Sequence, residues 1–177
     1  MENLLQTLLE LQKISPNFSI GGSVMLNVFG IIDREPGDLD INTTDQKLIE
    51  FGKQKQLECQ ITDVAKMNTS YLAEMFETSN NRDLLAILEH AHSRFTMNGI
   101  NICFFNRRDS IEYQIEQFIY GDPLFTLRAK NLFCREKDSK DAVVGVEFFK
   151  THGIDDAQQE LVREFLDKNY KRFVVPG

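Results

Sequence analysis

Cysteine is scarce in this chain, and long apolar runs, repeats and an excess of base are all missing. The three cysteines, Cys59, Cys103 and Cys134, lie far apart and form no CxxC pair. That argues against a disulfide framework or a zinc ribbon and for reduced thiols. No apolar run approaches the ~18 residues that span a bilayer, and Glu2 stands where a signal peptide carries Lys or Arg. The expectation is a cytoplasmic protein with no membrane-spanning part. Lys and Arg number 20 against 27 Asp and Glu, a formal net charge of −7. Residues 1–90 hold seven basic and fourteen acidic residues, and residues 91–177 thirteen of each. The whole excess of acid therefore falls in the first half. Extended nucleic acid, whose affinity comes mainly from phosphate neutralisation by Lys and Arg, is a poor partner for such a chain; one nucleotide or one RNA end stays open. Hydrophobic residues make up 42% and charged residues 27%, ordinary values for a globular protein. At this length ~70% of the unfolded surface can be buried, so a real core is available.

The stretch from Ser19 to Thr43 is the most informative. Ile20 closes a short apolar run. Gly21, Gly22 and Ser23 then open a segment whose Val24, Met25, Val28 and Ile31 or Ile32 recur at helical spacing. A strand, a glycine turn and a helix start are predicted. Unpaired N–H groups at such a start, with no Cβ on the turn to block approach, attract phosphate oxygens. Asp38 and Asp40 flank Leu39 further on, and a period of two puts both carboxylates on one face of a strand. Two adjacent acids repel unless a cation lies between them, and an oxygen-only pair suits Mg²⁺ or Mn²⁺.

Elsewhere the pattern alternates between helices and strands. Leu4, Leu8 and Leu11 mark a first helix that ends before Ser15 and Pro16. Asp45 caps a helix through about Gln56, and Leu57–Thr62 alternates as a strand. Arg82–His92 reads as a helix. Arg94–Met97 and Ile100–Phe105 form a hairpin across Asn98-Gly99. Ile111–Tyr120 leans to strand. Asp122 and Pro123 start a helix to about Cys134, Asp138 and Asp141 are placed to cap another to about Lys150, and Asp155 and Asp156 start a last one. His90 and His92 fall on different sides of a helix, which argues against a shared metal. The Arg107, Arg108 pair is either exposed or reaches a phosphate. The predicted fold class is α/β (α+β): a mixed, twisted sheet of four to six strands with packed helices over residues 1–120, and an α-helical C-terminal portion over 121–177.

The order of a Gly-Gly-Ser turn, a helix and an Asp-x-Asp strand resembles the polymerase-beta-like nucleotidyltransferases. Arg34, four residues before Asp38, is similar to the Arg-x-Thr-x-Asp-hydrophobic-Asp signature of the small bacterial AbiEii-type toxin proteins, with Pro36 where Thr or Ser is usual. Lys130 and the Lys137-Asp138…Asp141 element resemble a second, weaker motif of the same family. The resemblance covers residues 18–43 and 122–150. It implies a nucleotidyltransferase-like fold and transfer of a nucleoside monophosphate from a nucleoside triphosphate to an acceptor, which could be an RNA 3′ end, a protein hydroxyl or a small molecule. It implies Asp38 and Asp40 as catalytic metal ligands, with Gly21, Gly22, Ser23, Arg34 and Lys130 at the nucleotide. Family members carry a third carboxylate on a later strand, where this chain offers Asn101 or Glu112. Asn101 brings a carbonyl oxygen but no charge and no base. A binding or regulatory protein on the same fold, without turnover, is therefore the alternative. A dehalogenase-like phosphatase is disfavoured, because Arg34-Glu35-Pro36-Gly37 replaces the apolar strand its first Asp requires. A toxin role is implied by the resemblance alone.

Overall fold

Apolar spacing determines where each helix lies. In the computed structural model, which describes residues 2–59, 91–133 and 136–152, helix α1 (Glu2–Ile14) buries Leu8 and Leu11 and ends ahead of Pro16. Strand β1 (Ser19–Ile20) leads through Gly21 into the short helix α2 (Gly22–Val28). This helix stops earlier than its apolar period suggests. Val28 is 45% exposed, while Ile31 and Ile32 turn back into the core from the following loop. Strand β2 (Leu39–Asn42) precedes α3 (Gln46–Glu58), whose first turn is capped by Asp45 accepting from Lys47 N at 2.9 Å.

Strands β3 (Ala91–Met97) and β4 (Ile100–Phe105) form the expected hairpin, with Asn98 and Gly99 at positive φ in its turn. Residues 111–120 are two strands rather than one: β5 (Tyr113–Ile115) folds back on β6 (Phe118–Tyr120), with Glu116 at φ 53° in the turn. Helix α4 (Pro123–Phe133) starts at the predicted Asp-Pro, where Asp122 accepts from Leu124 N at 2.9 Å, and α5 (Glu136–His152) packs against it.

Among the described residues the strands form one six-stranded mixed sheet, ordered β3-β4-β2-β1-β6-β5. β2 lies parallel to β4 and antiparallel to β1, and β1 lies parallel to β6. The register pairs Leu39 with Ile102 and Ile41 with Phe104, so these four share one face. Helix α3 covers that face at the β3–β4 end: a Cβ on Gly52 would come within 2.5 Å of Ser93 Oγ and 2.8 Å of Phe104. The intervening residues, Asp40 with Cys103 and Asn42 with Phe105, face the opposite side.

Two local expectations are corrected. Leu57 and Glu58 continue α3 instead of starting a strand, because the Gln-Lys-Gln-Leu-Glu run keeps the helix hydrogen bonding to Cys59 N. Ala91 and His92 belong to β3 and not to a helix, being held by the ladder to β4. The rest of the 57–62 strand, most of the 82–92 helix with His90, Cys134 and the final helix from Asp155 lie outside the described residues. No helix among those described is long and apolar enough to cross a membrane.

Candidate functional site

The face that carries Asp40 and Asn42 opens into a cleft with about 660 Å³ of unfilled space, its open mouth included. Asp38 and Asp40 both line it, as do Gly21, Gly22 and Ser23. The spacing of two thus brings the two acids to one surface. The glycine turn lies directly against them. Gly21 N donates to Asp40 O at 2.9 Å, and Gly22 sits at φ +59°, where a Cβ would collide with the Asp40 carboxylate. Only glycine lets the start of α2 approach the acid this closely.

A charged wall rises beside the pair. Lys130, on α4, is 7% exposed and reaches Ser23 Oγ at 3.2 Å, Asp138 Oδ1 at 3.1 Å and Asp141 Oδ2 at 2.9 Å. Arg34 grips Asp141 with two nitrogens, at 2.9 and 2.6 Å, and donates to Ser23 Oγ at 2.8 Å. The loop that carries Arg34 is itself fixed by Asn27 on α2, whose amide donates to Ile32 O and Arg34 O. The expectation that Asp138 and Asp141 cap a helix is therefore corrected. Both lie inside α5, buried, and bind the two cations. The Asp141 bond raises Arg34 above its ordinary pKa. Burial pushes the Asp141 carboxyl upward, but the bonds to Arg34 and Lys130 outweigh it and hold the group below the usual carboxylate range. Ser23 Oγ accepts from both cations, so its own O–H is what it can offer a ligand in the cleft.

No third carboxylate joins the Asp pair on the neighbouring strand. The register partner of Asp40 on β4 is Cys103, whose thiol is pushed up to about 12 by burial and by Asp40 and is therefore neutral. Asn101 shares the parity of Cys103 but is exposed, and its side-chain oxygen accepts from Thr96 Oγ1 at 3.0 Å. Glu112 is paired with Arg108 at 2.6 Å and does not line the cleft. Neither candidate for a third ligand thus lines the cleft, although the register, continued one step, sets Asn101 opposite Asp38. Among the described residues no group of three or more His, Cys, Asp and Glu could hold a metal ion. Two carboxylates two positions apart remain, an oxygen donor set that fits a hard divalent cation completing its shell with water and phosphate.

One group of lining residues was not anticipated. Arg107 ion-pairs with Asp109 and holds its Cζ 3.4 Å over the Phe125 ring centroid, and Phe105 and Asn42 also line the cleft, Asn42 beside Gly21. Asn42 was findable, as it continues the period of two from Asp38 and Asp40. Phe125 carried no local signal, being one of several apolar residues on an amphipathic helix. A comparison with protein-family models, curated proteins and solved structures finds no significant match.

Proposed function

We propose that this protein binds a nucleoside triphosphate with a divalent cation and transfers its nucleoside monophosphate to an acceptor hydroxyl, on a nucleotidyltransferase-like fold. The observation that carries this reading is convergence: Asp38, Asp40, Ser23 and Lys130, dispersed over the sequence, all border one cleft beneath the glycine turn. Asp38 and Asp40 would hold Mg²⁺ or Mn²⁺, which when bound neutralises triphosphate charge and polarises the phosphoryl oxygens. Ser23 donates its O–H to a terminal phosphate oxygen. Lys130 supplies positive charge behind it, and Arg34 holds Ser23 and α5 in register. The acceptor oxygen bonds to the α-phosphorus as the bond to the bridging oxygen breaks. Pyrophosphate leaves, and the acceptor proton passes to a carboxylate of the pair.

A second reading is favoured by one observation: neither Asn101 nor Glu112 lines the cleft, and the residue opposite Asp40 on β4 is the neutral Cys103 thiol. It is a nucleotide-binding protein of the same architecture without turnover. Both readings predict a Mg²⁺-dependent rise in melting temperature with at least one nucleoside triphosphate. At ~100 times the dissociation constant the gain is ~2.7 kcal/mol, or roughly 5 to 10 °C for a chain of this size. The Asp38→Asn/Asp40→Asn variant is expected to fold and to lose the shift. No shift with any nucleotide would remove both readings, and release of pyrophosphate with an acceptor pool separates the first from the second.

A further inference from the structure

Besides the charged group around Ser23 and Lys130, the cleft is lined by Phe105, Phe125 and Arg107, a set suited to something flat and uncharged, and by Asn42. Arg107 is not available there as a phosphate anchor. Its charge is met by Asp109, which also accepts from Asp122 N at 2.9 Å. Burial lowers its pKa from the ordinary arginine value. What it presents is a guanidinium stacked over Phe125, with Phe105 nearby.

Asn42 makes the second, independent observation. The residue is 5% exposed and lines the cleft, and among the described residues its amide makes no hydrogen bond. The amide is held in a slot between two glycines: a Cβ on Gly21 would lie 3.0 Å from Nδ2, and one on Gly121 3.4 Å. Neither the amide N nor its O is sealed off without a partner, so both keep access to the cleft, where a ligand can complete their bonds. A primary amide offers a donor and an acceptor side by side, the pattern of a base edge. Thr126, 9% exposed and also on the cleft, adds a hydroxyl.

We propose that the Asn42–Phe125–Arg107 group is the nucleoside subsite, where the base stacks on the Phe125–Arg107 pair and bonds the Asn42 amide while the triphosphate extends toward Ser23 and Lys130. This rests on the nucleotide reading above and adds the direction in which the ligand lies. Stacking of a base on an aromatic side chain tolerates any base, so the subsite prefers a nucleoside over none more strongly than one base over another.

Calorimetric titration of the full chain, Asn42→Ala and Phe125→Leu with each Mg²⁺–nucleoside triphosphate and with Mg²⁺–tripolyphosphate tests it. The native chain is expected to bind the best nucleotide at least tenfold more tightly than tripolyphosphate. Each variant loses about tenfold toward the nucleotide and less than twofold toward tripolyphosphate. Asn42→Ala also keeps or raises the melting temperature without ligand, since its amide has no protein partner to lose; a fall would mark Asn42 as structural and overturn its role. Equal affinity of the native chain for nucleotide and tripolyphosphate, or loss of both ligands in proportion, overturns the subsite and leaves the nucleotide reading standing. Binding of neither ligand overturns both.

Discussion

Lys130 keeps its charge inside the protein because Asp138 and Asp141 lie within 3.1 and 2.9 Å of it. Taking the ammonium away removes a close cation from two buried carboxylates, of which Asp141 keeps its bonds to Arg34. Lys130→Met is therefore expected to destabilise the fold by about 3 to 5 kcal/mol in urea titration, and Lys130→Met/Asp138→Asn to recover a large part of that. A solvated lysine on a helix face would change stability by no more than ~0.5 kcal/mol, and that outcome would refute the buried network. The same residues show what a sequence exposes. Asp38, Asp40, Gly22 and Ser23 were legible because their chemistry is local, set by a period of two and a turn. The Arg34–Asp141 pair spans 107 positions, and Asp138 with Asp141 has the same spacing whether it caps a helix or faces inward. Only the packing of α5 on α4 distinguishes the two.

That packing depends on one missing side chain. Gly145 on α5 faces Leu127 on α4, and a Cβ there would lie 2.5 Å from Leu127 Cδ2 and 2.6 Å from Cδ1. Leu127 is fully buried and has little room to yield. Gly145→Ala is expected to separate the helices at a cost of about 1 to 3 kcal/mol, lowering the melting temperature by roughly 3 to 10 °C, although alanine is the better helix former. A rise in melting temperature would show that the helices are not in contact there. At this scale, caps and turns were the readable parts. Asp45, Asp122-Pro123 and Asn98-Gly99 each fixed an element boundary through their own backbone chemistry. Short apolar runs were not readable: Ile111–Tyr120 alternates well enough for one strand, and only the positive φ of Glu116 divides it. Ala91 and His92 fit a helical period yet join β3 because β4 supplies their partners.

Across the whole molecule the sheet separates a dry face from the cleft, and His92 titrates on the dry side. Its ring packs edge-on against Phe104 at 5.8 Å, Nδ1 lies 2.8 Å from Ser93 Oγ, and Nε2 is buried without a hydrogen-bond partner. Burial, with a smaller contribution from Lys53 on α3, lowers its pKa from 6.5 to about 4. The unfolded chain therefore takes up a proton first as pH falls, and stability drops between pH 6.5 and 4, then stops depending on this group. Screening at a partly exposed ring reduces the effect to about 1 to 2 kcal/mol. Asp141 acts in a lower window: its folded pKa is depressed, so its contribution is complete above the ordinary carboxylate value and is lost only as pH falls below it. The two are separable. Urea titrations at pH 7.0, 5.5 and 4.5, run dilute because the sequence pI of about 5.0 lies inside the first window, should show the native chain losing stability faster than His92→Phe over that range. Parallel curves for the two proteins would mean that the histidine ring is hydrated in the native state, and that the loss belongs to the carboxylates.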